Sequence, residues 1–119
     1  MKISELQERA HKNAANKGFW DMERGILGKM HHYGDFTTKE IIAVYDAFCC
    51  QRLMLMVSEL GEAIEALRKD NFDGYKEELA DTVIRILDEC GGSKINLEAE
   101  ILRKMAVNEK RSHRHGKEF

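Results

Sequence analysis

Apolar residues recur at helical spacing in four separate stretches of the chain. The first follows Ser4, a cap candidate, with Leu6, Ala10 and Ala14 on one side and Gly18 placed to end the helix near Lys17. The longest begins at the cap candidates Asp35 to Thr38 and reads as helix to Asp70, about 50 Å at 1.5 Å per residue, with room for a bend near Cys49. A turn at Asn71 to Gly74 separates it from a third helix, Tyr75 to Cys90, which Gly91-Gly92 stops. A fourth runs from Asn96 or Leu97 to near Asn108, and the basic tail KRSHRHGKEF reads as partly irregular. Phe19 to Gly34 holds three glycines and two adjacent histidines and reads as mostly loop with at most a short helix. Residues 21–50 carry no motif. Four helices with short connections predict an all-α, four-helix-type bundle in a single domain spanning residues 1–119.

Two acidic pairs interrupt this pattern at the same spacing: Glu59 with Glu62, and Glu78 with Asp81. On a wheel of about 100° per residue with Glu59 at zero, Leu53, Met56, Val57, Leu60, Ala63, Ile64 and Leu67 fall in an arc centred near roughly 100°. With Glu78 at zero on the next helix, Leu79, Val83, Ile86, Leu87 and Cys90 fall in an arc centred near roughly 120°. Both pairs therefore stand at nearly the same offset from their own apolar stripe. If the helices pack antiparallel through those stripes, the pairs converge at one edge of the bundle. Four carboxylates there repel one another, and a hard divalent cation such as Mg²⁺, which prefers oxygen ligands, would neutralise them. The plainer reading is a solvated acidic face, and Glu65, Glu77 and Glu89 fit it.

Composition narrows the function classes. The chain has 119 residues, 43% hydrophobic and 34% charged, with no proline and a formal net charge of -2. Such a balance gives no general attraction to nucleic acid or to an anionic membrane, so a polyanionic substrate needs a metal ion or a local basic cluster. No apolar run is expected to approach the roughly 20 residues of a bilayer span, and the polar N-terminus is unlike a signal peptide. Three cysteines, two of them adjacent, make no disulfide framework and predict a reducing cytoplasm.

The acidic signature and its surroundings resemble the MazG-like, all-α nucleoside triphosphate pyrophosphatases. The likeness is carried by Glu59-Leu60-Gly61-Glu62 and Glu78-Leu79-Ala80-Asp81, fifteen residues apart, within "LMVSELGEAIEALRK" and "KEELADTVIRILD". The opening "ISELQERAHKNAANKGFW" and the end, "KMAVNEKR" followed by "RHGKEF", are similar too, so the resemblance covers Ile3 to Trp20 and Leu53 to Phe119. It implies hydrolysis between the α- and β-phosphates of a nucleoside triphosphate, giving a monophosphate and pyrophosphate. It implies Mg²⁺, or Mn²⁺ in its place, on Glu59, Glu62, Glu78 and Asp81. It also implies a homodimer or homotetramer with sites between subunits. Glu59 or Glu62 would take the proton of the attacking water. Lys104, Asn108 and Arg111 share one face of the last helix and could hold phosphate oxygens, although a basic helix end also suits the helix dipole.

Other residues divide between chemistry and packing. Trp20, the one tryptophan, or Phe19 could stack on a base while His11 reads its edge; both rings could equally close the core. Arg85 reads as an ion-pair partner of Asp81 or Asp88. His31-His32 and His113-His115 lack the partners of a zinc site and read as surface, and Cys49-Cys50 as packing within the long helix. A di-iron carboxylate bundle would need Glu-x-x-His, which neither pair supplies. The remaining alternative is a non-enzymatic helical module that binds a partner through the basic tail.

Overall fold

The computed structural model describes residues 1–118, and these form five α-helices: α1 Ile3–Asn16, α2 Asp21–Tyr33, α3 Thr38–Arg68, α4 Phe72–Gly92 and α5 Leu97–Glu109, followed by a single tight turn at His113–Gly116. The all-α expectation holds, and the helix count is five rather than four. Among the described residues there is no strand.

The extra helix is α2, in the stretch expected to be mostly loop. Its interior glycines weaken helix propensity, but Asp21 and Glu23 in its first turn complement the helix dipole. Gly34, at φ 70, ends it in the left-handed conformation that glycine adopts without a Cβ clash. Buried Glu23 and Met30 are its anchoring residues. Packing overrode a weak local signal.

Side chains set the other ends. Ser4 does not cap α1; instead the Glu5 carboxylate accepts from the Lys2 backbone N–H at 2.8 Å. Thr37 and Glu40 form a reciprocal capping box at the start of α3, with bonds of 2.8 and 3.1 Å. The helix then continues for 31 residues without a break at Cys49. Asn71 caps α4 through the Gly74 N–H at 3.0 Å. That helix runs through Gly91 and Gly92 instead of stopping before them. Those glycines serve close approach: a Cβ on Gly91 would lie 2.5 Å from His11 Cβ, and one on Gly92 would lie 2.1 Å from the Trp20 ring.

Helices α3 and α4 form an antiparallel hairpin, whose register is fixed by Arg52 to Glu89, Glu59 to Arg85 at 2.7 Å, and Tyr45 to Ser93 at 3.1 Å. The seam on α3 follows Arg52, Met56, Glu59, Ala63 and Ala66, alternating steps of four and three. Its counterpart on α4 follows Tyr75, Glu78, Thr82, Arg85 and Glu89 with the same alternation. This is coiled-coil spacing with polar and small residues where aliphatics are usual. Of the stripes expected to form the seam, Met56 and Ala63 lie in it and Leu87 and Cys90 are buried, whereas the larger aliphatics stand one position further round. Leu53, Val57, Leu60, Ile64 and Leu67 on α3 are 45–56% exposed, and Leu79 and Val83 on α4 are also open. A helical wheel shows which residues share a face, but not which face meets the neighbour.

Helix α1 packs on α4, α2 on α3, and α5 on α1. The radius of gyration is 17.8 Å, against about 13.5 Å for a compact chain of this length. Among the described residues none falls below 2% exposure. By length and composition alone, α3 is apolar enough to cross a membrane, with a mean hydropathy of 1.5 over 18 residues, contrary to the sequence expectation. Only 6% of that window is buried.

The glycine contacts give a direct test of stability. Gly92→Ala drives a methyl into the Trp20 ring and should destabilise by about 1–3 kcal/mol. Gly28→Ala enters open space on α2 and should stabilise by about 0.5–1 kcal/mol. Urea unfolding of both variants at one pH measures the difference in sign.

Candidate functional site

Three of the four carboxylates singled out in the sequence come together. Glu59, Glu78 and Asp81 each offer a carboxylate oxygen, and these lie within 4.8 Å of one another. Glu59 comes from the polar seam of α3, and Glu78 and Asp81 from successive turns of α4. Glu59 and Glu78 are seam positions, and Asp81 stands exposed one turn from Glu78. Glu62 is exposed and outside this triad, yet near enough for its charge to raise the proton affinity of Glu78.

The environments of the carboxylates differ. Arg85 Nε donates to Glu59 Oε1 at 2.7 Å, and this pairing holds the Glu59 carboxyl below its ordinary range. Arg85 is thus an ion-pair residue as expected, but its partner lies across the seam and is neither Asp81 nor Asp88. Glu78 is pushed up to about 7, first by sharing a proton with Glu59, then by enclosure and the charge of Glu62. Its Oε2 is buried with no hydrogen-bond partner among the described residues. An all-oxygen donor set with one enclosed, unpartnered oxygen fits a hard divalent cation such as Mg²⁺.

A groove of about 650 Å³ opens beside the triad, bordered at this end by Glu59, Asp81 and Arg85. Trp20, Arg52 and Asp88 border its other end. Trp20 is 4% exposed. Its Nε1 donates to Asp88 Oδ1 at 2.8 Å, and the Arg52 guanidinium lies 4.1 Å from its ring centroid. One ring face is therefore covered, and Trp20 is a core residue at the groove wall. His11 Nδ1 meets the same Asp88 oxygen at 2.9 Å and stands outside the groove. Phe19 is exposed and lines it.

Helix α5 packs on α1, and none of Lys104, Asn108 and Arg111 lines the groove within one chain. Lys104 and Arg111 are exposed, whereas Asn108 Oδ1 is enclosed without a partner among the described residues. His31, His32, His113 and His115 are exposed, as expected.

Sequence reasoning missed the cluster around Arg52. This side chain donates to Glu23 at 3.0 Å and also to Glu89, linking α2, α3 and α4. An arginine inside an otherwise apolar stretch of α3 was the available signal. Glu23 had none, because its helix was read as loop, and Glu89 was read as solvated surface. Searches against protein-family models, curated proteins and solved structures find no match to this chain.

The shared proton has a consequence for stability. The folded Glu78 holds its proton up to about pH 7, whereas its ordinary pKa is 4.5. The stabilisation is full below the ordinary value and is lost as pH rises through about 7. Glu59, lowered by Arg85, acts in the opposite sense and at more acidic pH, outside this window. The melting temperature of the metal-free protein should therefore fall between about pH 5 and about pH 8. Glu78→Gln should flatten this fall and leave the variant the more stable protein at the upper pH, as thermal scans in a chelating buffer would show.

Proposed function

We propose that this protein is a Mg²⁺-dependent nucleoside triphosphate pyrophosphohydrolase, cleaving between the α- and β-phosphates to release a nucleoside monophosphate and pyrophosphate. The observation that carries the reading is the convergence of Glu59, Glu78 and Asp81, two of which, Glu59 and Asp81, line one end of a nucleotide-sized groove. The resemblance of the two acidic pairs to those of MazG-like pyrophosphatases supports it. The net charge of -2 fits a substrate brought in through a cation rather than through bulk basicity.

Glu59, Glu78 and Asp81 would hold Mg²⁺, or Mn²⁺ in its place. A cation held there would supply neutralisation of phosphate oxygens and a more nucleophilic water. Glu78 would give up its proton to act as a ligand, since the ligand form is the carboxylate. Glu59 is committed to Arg85 and its proton affinity is low, which makes it a poor base. Glu62, exposed beside the triad and outside the Arg85 pair, takes the proton of the attacking water. Water adds to phosphorus, the P–O bond of the α–β bridge breaks, and pyrophosphate leaves.

The oligomer belongs to the same reading. The exposed stripes of α3 and α4 repeat the seam spacing one position further round, so they suit a second copy of the hairpin and a four-helix arrangement across the pair. Lys104, Asn108 and Arg111 would reach phosphates only as a contribution from that second copy. Three free thiols suit the reducing cytoplasm as its place of action.

Two experiments decide these points. Glu62→Gln and Asp81→Asn should each reduce Mg²⁺-dependent pyrophosphate release by at least about a hundredfold. Glu65→Gln and Glu77→Gln should stay near wild type, since both side chains are exposed and Glu65 is engaged with Arg68 at 2.9 Å. Equal losses in all four variants would mean that the acidic face acts only as bulk charge. Turnover absent from every triphosphate, with nucleic acid or protein bound through the tail, would put a binding module in place of the enzyme. In sedimentation at micromolar concentration the protein should run as a dimer or larger, and Leu60→Lys with Ile64→Lys should shift it to monomer.

A further inference from the structure

The groove has a second polar end, set by α2. Glu23 lines the groove and is 5% exposed. Its Oε2 accepts from Arg52 Nη1 at 3.0 Å, whereas Oε1 is enclosed with no hydrogen-bond partner among the described residues. Buried carboxylate oxygens normally have donors, and one that lacks them beside a groove is matched when a ligand supplies the donor. The local charge favours donors over anions: Arg52 stands against Glu23 and Glu89, and Asp88 is nearby with the Trp20 and His11 nitrogens. Phosphates are therefore disfavoured here. Phe19, Met22 and Leu55 supply apolar walls suited to a flat ring. From Phe48 to Glu59 the lining of α3 extends about 16 Å at 1.5 Å per residue, room for a base, a sugar and phosphates end to end.

We propose that this end of the groove reads the base, with Glu23 Oε1 accepting a hydrogen bond from an exocyclic amino group, so that amino-substituted bases are preferred over their keto counterparts. A keto oxygen at the same place would face the carboxylate with no proton between two acceptors, which is the arrangement that discriminates most strongly between near-isosteric ligands. Arg52 acts as a positioning residue: Glu89 and the Trp20 ring hold its guanidinium, and through it the orientation of Glu23. The inference rests on the nucleotide reading of the groove and adds to it the chemical class of the base.

Trp20 is the sole tryptophan and sits in the groove wall, so its fluorescence reports occupancy without any need for turnover. The probes are two matched pairs of monophosphates, CMP with UMP and AMP with IMP, titrated into the full chain without metal. The amino member of each pair should bind at least about tenfold more tightly than the keto member. Glu23→Gln, whose amide can also donate, should remove or invert that preference, and circular dichroism melting checks that it folds. The wild-type comparison stands alone if the variant does not fold. Equal affinity within both pairs, no nucleotide binding, or an unchanged preference in folded Glu23→Gln overturns the proposal. Pyrophosphate release from CTP and UTP with Mg²⁺ separates the two readings. Release at equal rates from both overturns the base assignment alone. Preferential CMP binding without release from either overturns the pyrophosphohydrolase reading alone.

Discussion

Guanidinium–carboxylate pairs set the register of the α3–α4 hairpin, and the rest of the molecule is arranged around them. Arg52 joins Glu23 of α2 to Glu89 of α4, and Arg85 joins α4 back to Glu59 of α3. Burying such charges is costly, and their mutual attraction offsets the cost only when geometry and extra contacts are good. Here the Arg52 guanidinium also lies over the Trp20 ring at 4.1 Å, a cation–π contact that a lysine would make less well. A slip of the hairpin by one turn would leave these charges half-buried without partners. The pairs therefore specify one alignment, whatever their net contribution to stability.

Giving the seam to polar groups displaces the large aliphatics. The stripe from Leu53 to Leu67 keeps the seam's own spacing but lies one residue further round, where a single chain offers it no cover. What remains inside the chain is sparse: Met56, Ala63, Ala66, Leu87 and Cys90, with Trp20 and Met30. That thin core goes with a radius of gyration of 17.8 Å, above the compact expectation, and it is what motivates the proposed pairing of two copies. The same exposed helix scores as a membrane span on hydropathy alone, although its inner face carries Arg52 and Glu59 in ion pairs. Charge on one face and aliphatics on the next give α3 two faces of opposite character.

The parts of the fold that were legible in the sequence are those set by local chemistry. Gly18 ends α1 and the helix bounds follow within a few residues, although Asn71 to Gly74, read as a turn, is the capped first turn of α4. The acidic spacing marked Glu59, Glu78 and Asp81 correctly as neighbours in space, but through the wrong geometry. The wheel placed them at an edge beside an aliphatic seam, whereas Glu59 and Glu78 belong to the seam and Asp81 stands exposed beside it. Helix α2 was illegible because its glycines speak against a helix and its anchors, Glu23 and Met30, act only through tertiary contact. The glycine pair at the end of α4 looked like a stop signal. Its role is steric, and only the position of His11 and Trp20 reveals it.

Heptad positions on two packed helices are where aliphatic residues stabilise most, and this chain places carboxylates and arginines there. Local rules are usually broken at functional sites, and the conflict here has a physical logic. A carboxylate on the solvated face keeps its full hydration and has little reason to exchange it for a cation. Glu78, with one oxygen enclosed and its proton retained to about pH 7, has already lost much of that hydration in the folded state. If the proposed cation binds, the cost of desolvating this carboxylate is met during folding and not at the moment of binding, which is preorganisation in the sense used for catalytic sites. Arg85 limits the repulsion among the acids while no cation is present, and it does so from Glu59, the carboxylate that both lines the groove and belongs to the triad. The proton held by Glu78 and the pairing of Glu59 with Arg85 are then two consequences of placing acids in the seam.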